Sequence, residues 1–396
     1  MATRPPPPRN AAPADGTLNR ALALHQAGRL DEADALYRQV IRQAPGHFDA
    51  THLLGVVALQ RGDLPAAEAL IAQALASKPR DAAALNNLGT ALLRARRLDE
   101  AREQFERAVK AQPGHVDALS NLGSVLRQTG RVAESVAPLK RAFAGNPKSA
   151  EIADLLGASL LETGDSRAAA AVLEAAVKAH PGLARAWTHL AVASQRAGDA
   201  KRALEAADAA LRIEPRTVQA LGQRGQALAA LGDAAAALDA FAAAVRLAPE
   251  EAAARHNFGV FLREQGEFDA AIGHLRGAIA LDPGLAEAHE ALVDTLLEAG
   301  RVDEAAKLGG AYSALHPEGA AAPAMMAATL FAQGRIEESL ELWRRAAAAP
   351  DAASSTHYGF GNALMASGDA PTATKHFARA VELDPQNARA RLSLAM

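Results

Sequence analysis

Four carboxylates, Glu287, Glu290, Asp294 and Glu298, recur at spacings of three and four residues, which sets them along one face of a helix. Paired carboxylates can act as general acid and base when their surroundings push their pKa values apart. Nothing in the neighbouring sequence supplies that perturbation, so the row reads as an acidic stripe facing solvent or a partner. Twelve histidines are present, but His47 and His115 follow Pro-Gly while His180 and His316 precede prolines, which places them in loops. No two histidines stand four apart, as a helical metal site would need. The chain has no cysteine, which removes disulfides, thiolate catalysis and sulfur-ligated zinc and suits a reducing compartment. No phosphate-binding glycine loop, nucleophile elbow or zinc-protease motif occurs, and no strand pattern exists to present one. No catalytic residue, metal or cofactor is expected, and an enzyme is not.

Amide side chains are the more promising group. Asn87, Asn121, Gln223 and Asn257, with His189, fall at one position of a 34-residue period. An amide both donates and accepts, so a ladder of them can pair with both groups of an extended peptide backbone without demanding a sequence. Arg94, Arg127, Arg185 and Arg196 lie on the same stretches and would meet acidic side chains.

The elements that carry these residues are helices in pairs. Leu85, Leu88, Gly89 and Leu92 form one apolar stripe at helical spacing, and Leu98, Ala101, Phe105 and Ala108 form a second. Pro113-Gly114 closes the unit. Prolines then recur every 34 residues, at Pro45, Pro79, Pro113, Pro147, Pro181, Pro215, Pro249, Pro283 and Pro317. Starting each unit 31 residues before its proline gives frames at Ala14, Phe48, Ala82, Val116, Ala150, Ala184, Val218, Ala252, Ala286, Ala320 and Ser354. Place eight of the frame is small, as at Gly55, Gly89 and Gly123, so that two helices approach closely. Place fifteen is glycine at Gly28, Gly62, Gly130 and seven further repeats, where a helix stops in a left-handed turn. Alanine dominates place twenty, and Tyr37, Phe105, Phe241, Trp343 and Phe377 stand at place twenty-four.

This combination resembles the tetratricopeptide repeat over residues 14–387. The resemblance implies an all-α, right-handed α-solenoid of about eleven 34-residue helix-turn-helix repeats. It also implies that the first helix of each pair lines a concave groove, with places two, five, six, nine, twelve and thirteen reaching a ligand. The asparagines at place six are similar to the ladder in the repeat arms of O-linked GlcNAc transferase-like and SPINDLY-like proteins, although Leu53 and Leu155 interrupt it here. The carboxylate clamp that some members use for chaperone tails needs lysine or arginine at place five, and none of the eleven residues there is either.

The domain reading follows the frame: a disordered Pro-rich tail at 1–13, repeats one to nine at 14–317, repeats ten and eleven at 318–387, and a partial capping helix at 388–396. A soft joint is expected around 309–323, where Gly309-Gly310 and Pro323 interrupt helices. Pro138 should bend its helix, whereas Pro65 and Pro371 stand near helix starts, where proline is welcome.

Composition narrows the partners. Apolar residues reach 49% but aromatics only 4%, so alanine and leucine must fill the interior, and 42 basic against 45 acidic side chains leave no charge footprint for nucleic acid or anionic lipid. No signal-type apolar region and no long apolar run occurs, so a soluble cytoplasmic protein is expected. The leading expectation is a non-catalytic scaffold holding an extended peptide or partner protein, over repeats three to eight. The alternatives are the substrate-selecting arm of a glycosyltransferase or sulfotransferase system, and a homo-oligomer associating through the apolar residues Leu392, Leu394 and Met396.

Overall fold

Helices follow one another in hairpins throughout the computed structural model, which describes residues 11–316, 318–385 and 387–395, with side chains from residue 15. Two units are compact in themselves, Met1–Gly182 and Leu183–Met396. The first holds α1 (Ala11–Gln26), α2 (Leu30–Gln43), α3 (Phe48–Arg61), α4 (Leu64–Ser77), α5 (Ala82–Arg94), α6 (Leu98–Ala111), α7 (Val116–Gln128), α8 (Val132–Gly145), α9 (Ala150–Glu162) and α10 (Ser166–Ala179). The second holds α11 (Ala184–Arg196), α12 (Ala200–Ile213), α13 (Val218–Ala230), α14 (Ala234–Leu247), α15 (Ala252–Glu264), α16 (Phe268–Leu281), α17 (Ala286–Glu298), α18 (Val302–Leu315), α19 (Ala321–Ala332), α20 (Ile336–Ala348), α21 (Ser354–Ser367), α22 (Ala370–Leu383) and α23 (Ala388–Ala395). No strand occurs among the described residues. Residues 1–10, most of the expected tail, and Pro317 lie outside them; α1 takes in residues 11–13, which the frame had left to the tail.

Each hairpin closes on a small residue facing a large one. Tyr37, Ile71, Phe105, Leu139 and Leu173 at place twenty-four are fully buried, and a Cβ added to Gly89 would stand 2.6 Å from Cε1 of Phe105. Two repeats trade the sizes differently. Repeat six sets Ala191 against Ala207, both fully buried, and repeat nine reverses the order, with buried Val293 at place eight and buried Gly309 at place twenty-four. Gly309 packs against α19, where a Cβ added to it would lie 3.6 Å from the Met325 Cβ, and α18 runs through it unbroken. Pro323 likewise sits in the first turn of α19, where a missing N–H costs no helical bond. The start of α19 is tied down by Asp351, whose two carboxylate oxygens accept from the Ala320 N–H at 3.1 and 3.2 Å.

Second helices other than α16, which follows Glu267, begin in one of two ways. Asp63, Asp165, Asp199, Asp233 and Asp369 cap the N–H three residues on. Arg29, Arg97, Arg131, Arg301 and Arg335 occupy the same place and instead grip a glutamate three residues on. Pro65 and Pro371 stand in first turns as expected, and α8 continues through Pro138. The left-handed turn at place fifteen is made by glycine in ten repeats and by Arg96, at φ 61°, in the third.

Candidate protein-interaction face

Within each unit the first helices of successive repeats lie side by side, and their facing side chains decide what is left for a partner. In the first unit, Asn87 of α5 bonds through Nδ2 to Nε2 of His52 on α3 at 2.9 Å. Asn121 of α7 donates through Nδ2 to Oδ1 of Asn86 on α5 at 3.0 Å. The place-five partners are buried, His52 and Asn86 each being 8% exposed. Burial lowers the His52 pKa and so favours the neutral ring, whose bare Nε2 accepts the amide proton. Place five therefore serves the stack here, where the family resemblance had it reaching a ligand. The Oδ1 atoms of Asn87 and Asn121 receive no donor from the described residues.

The arginines of this unit are also drawn inward. Arg94 donates through Nη1 to the Leu59 carbonyl at 3.0 Å, in the last turn of α3, where a cation suits the exposed carbonyls and the helix dipole. Arg127 reaches the other way, to Ser159 Oγ at 3.0 Å and to the Glu162 carboxylate on α9. Ser159 bonds in turn to Ser135 Oγ at 2.8 Å, both fully buried. Arg94 and Arg127 thus tie neighbouring repeats together.

The second unit leaves more unspent. The Oε1 atom of Gln223 on α13 is buried without a hydrogen-bond partner. Asn257 of α15 faces Gly222, whose Cβ position would lie 3.9 Å from the Asn257 Nδ2; place five has no side chain there to take the bond. His189, Arg185 and Arg196, on α11, all engage in interactions within the protein. His47 and His115, expected in loops, prove to cap α3 and α7, their Nδ1 atoms accepting from Ala50 and Ala118.

The acidic row forms as the helical spacing required. On α17, Asp294 accepts from Arg263 Nη1 at 3.2 Å, and Glu298 lies between Arg263 and Arg389. Asp294 is surrounded by protein yet keeps 51% of its side chain accessible, as the floor of a concavity would. Burial, then the charges of Asp294, Glu287 and Asp351, push the Glu290 pKa up to about 7. No group of three or more metal-ligating side chains converges among the described residues. None of their helices is long and apolar enough to cross a membrane.

Paired helices stacked through small-to-large contacts, with polar first-helix faces, define an all-α repeat scaffold for protein interaction. Models of the tetratricopeptide repeat match residues 9–48, 18–83, 52–114, 86–150, 155–217, 195–252 and 358–396, with further matches at 262–308 and 320–345. The chain belongs to that family. No curated protein matches it. Among solved structures it is similar in fold to the MamA protein (22% identity over 43% of this chain and 92% of that one, TM-score 0.40). PilF of Pseudomonas aeruginosa (22%, 52% and 94%, 0.47) and yeast Tom70 (15%, 98% and 88%, 0.47) are similar to it in the same way.

Proposed function

We propose that the first-helix faces hold an extended segment of a partner protein, with amide carbonyls at place six accepting from its backbone N–H groups. In the first unit the acceptors are Asn87 and Asn121, whose NH2 groups are spent on the preceding repeat. In the second they are Gln223 and Asn257. The observation that carries the reading is the pair of Oδ1 atoms on Asn87 and Asn121, which take no donor from the described residues. The Gln223 Oε1 is also without a donor but is buried in the free chain, so a partner N–H meets it only once the side chain rotates outward, recovering the cost of an unmet buried acceptor, about 1–3 kcal/mol.

Crosslinking with mass spectrometry in native extract identifies the partner and the face together. Gln223→Met then gives two readouts of opposite sign. Removing an unpaired buried acceptor makes the fold more stable, and removing a ligand contact weakens the partner roughly fivefold or more, about 1 kcal/mol. Replacing Asn87, Asn121 and Asn257 together by alanine weakens it about a hundredfold if each contributes about 1 kcal/mol. Undiminished affinity in both variants, with helicity intact, refutes the ladder.

A further inference from the structure

The last described helix of the second unit meets a helix three repeats earlier. Arg389, in the first turn of α23, sends Nη1 and Nη2 to Glu298 Oε1, each at 3.2 Å, across 91 residues. Its charge also bears on Asp294 of α17 and on Glu264 of α15. Of the four carboxylates on the α17 face, Asp294 and Glu298 meet Arg263, 15% exposed, from the neighbouring repeat. Arg389 supplies the second cation and is loosely held, with 63% of its side chain exposed. Glu298 has somewhere else to go: the buried Arg263 Nε has no hydrogen-bond partner and stands 4.0 Å from the other Glu298 oxygen. The carboxylate can therefore exchange one guanidinium for another with little movement.

We propose that Arg389 is a displaceable latch, by which α23 closes the inner face of the second unit over α17 until a partner segment bearing arginine or lysine takes its place. This rests on the reading that the first-helix faces bind partner segments, and it adds the partner's charge and the element that competes with it. An incoming basic side chain finds Asp294 and Glu298 already arranged around guanidinium groups, while an acidic segment meets repulsion. Release of α23 is then coupled to binding, so the affinity observed for a basic segment is reduced by the fraction of molecules latched.

Two measurements separate the latch from the partner it excludes. The chain lacks cysteine, so spin labels on Asp303→Cys and Ala395→Cys report the α23 position without further changes. A narrow distance distribution that broadens in Arg389→Glu and in Glu298→Gln is expected; identical distributions in all three proteins overturn the latch, whatever binds. Binding is read with a short fluorescent peptide of alternating arginine and serine and with its glutamate counterpart. Arg389→Ala tightens the arginine peptide severalfold, Glu298→Gln weakens it severalfold, and the glutamate peptide does not bind. Labels that respond, together with an arginine peptide that binds none of the variants, sink the partner assignment and the groove reading beneath it while leaving the latch.

Discussion

Gly89→Ala tests the contact on which the stacking depends. A Cβ there would stand 2.6, 2.8 and 3.0 Å from Cε1, Cδ1 and Cζ of Phe105. That ring is fully buried among Leu85, Leu88, Leu92, Ala101 and Ala108 and has no space to retreat into. Overpacking a filled site costs about 1–3 kcal/mol, and alanine in place of a helical glycine returns about 1 kcal/mol. The net expectation is a loss of about 1 kcal/mol. Phe105→Ala alone costs about 3–5 kcal/mol. In that background the added methyl has no ring to strike, so Gly89→Ala becomes favourable by about 1 kcal/mol. The chain already uses this arrangement in repeat six, where Ala191 and Ala207 are both fully buried. The coupling between the two sites is then about 2 kcal/mol. Repeat arrays open locally, so the assay is native-state hydrogen exchange of the α5 and α6 amides in the four proteins of the cycle. A coupling below about 0.5 kcal/mol, within the range expected of independent sites, would mean that place eight is not set by the size of place twenty-four.

Arg96→Gly relieves a left-handed side chain at φ 61° and stabilises repeat three by about 0.5–1 kcal/mol, read from the same amides. Burial lowers the pKa of His52, His256, His274, His289, His357 and His376. Their contribution to stability is complete above about pH 6.5 and is lost as pH falls toward the folded values, because the unfolded chain then binds more protons. Glu290, raised from 4.5 to about 7, acts oppositely, giving stability below pH 4.5 that disappears as pH rises through 7. Urea titrations should accordingly show a net decline on acidification from pH 7.5 to 5.5, and a steeper one in Glu290→Gln. The joint at 309–323 is tested by hydrogen exchange: protection across 305–325 equal to that of 85–110 would remove it.

How much was legible depends on whether a contact stays within one frame. The Gly89–Phe105 pair lies inside one repeat, so its places could be read directly, as could the left-handed glycines and the prolines at Pro65 and Pro371. The inward use of the amides links neighbouring frames. Asn86 and Asn121 are 35 residues apart, as are His52 and Asn87, which is one period plus one residue. That offset is present in the sequence, but the family resemblance assigns place five to the ligand, whereas in the first unit His52 and Asn86 are buried under the next repeat. His47 and His115 were placed in loops because Pro-Gly precedes them, although an acceptor just before a helix is a cap. The Arg389–Glu298 bridge was not legible at all, since it depends on how sharply successive hairpins turn, and no local pattern encodes that sum of small rotations. The soft joint rests on Gly309 and Pro323, for which the structure gives local reasons, close packing against Met325 and a first-turn position.

Stack and ligand compete for the same amides, and this competition sorts the place-six residues. Where place five carries a side chain, as Asn86 does beneath Asn121, half of the amide is committed to holding repeats together. Gly222 withdraws that option from Asn257. Its Cβ position has no other atom within 4 Å, so a side chain can start there, and Gly222→Asn should rebuild in the second unit the bond that Asn121 makes to Asn86. A net hydrogen bond is worth about 1 kcal/mol, and replacing a helical glycine adds to that, so α13 and α15 amides should exchange more slowly. Partner affinity should fall at the same time, because Asn257 would be turned toward the stack. Slower exchange with unchanged affinity would show that Asn257 never touched the partner. Unchanged exchange would show that the empty place five is not what leaves the amide unspent.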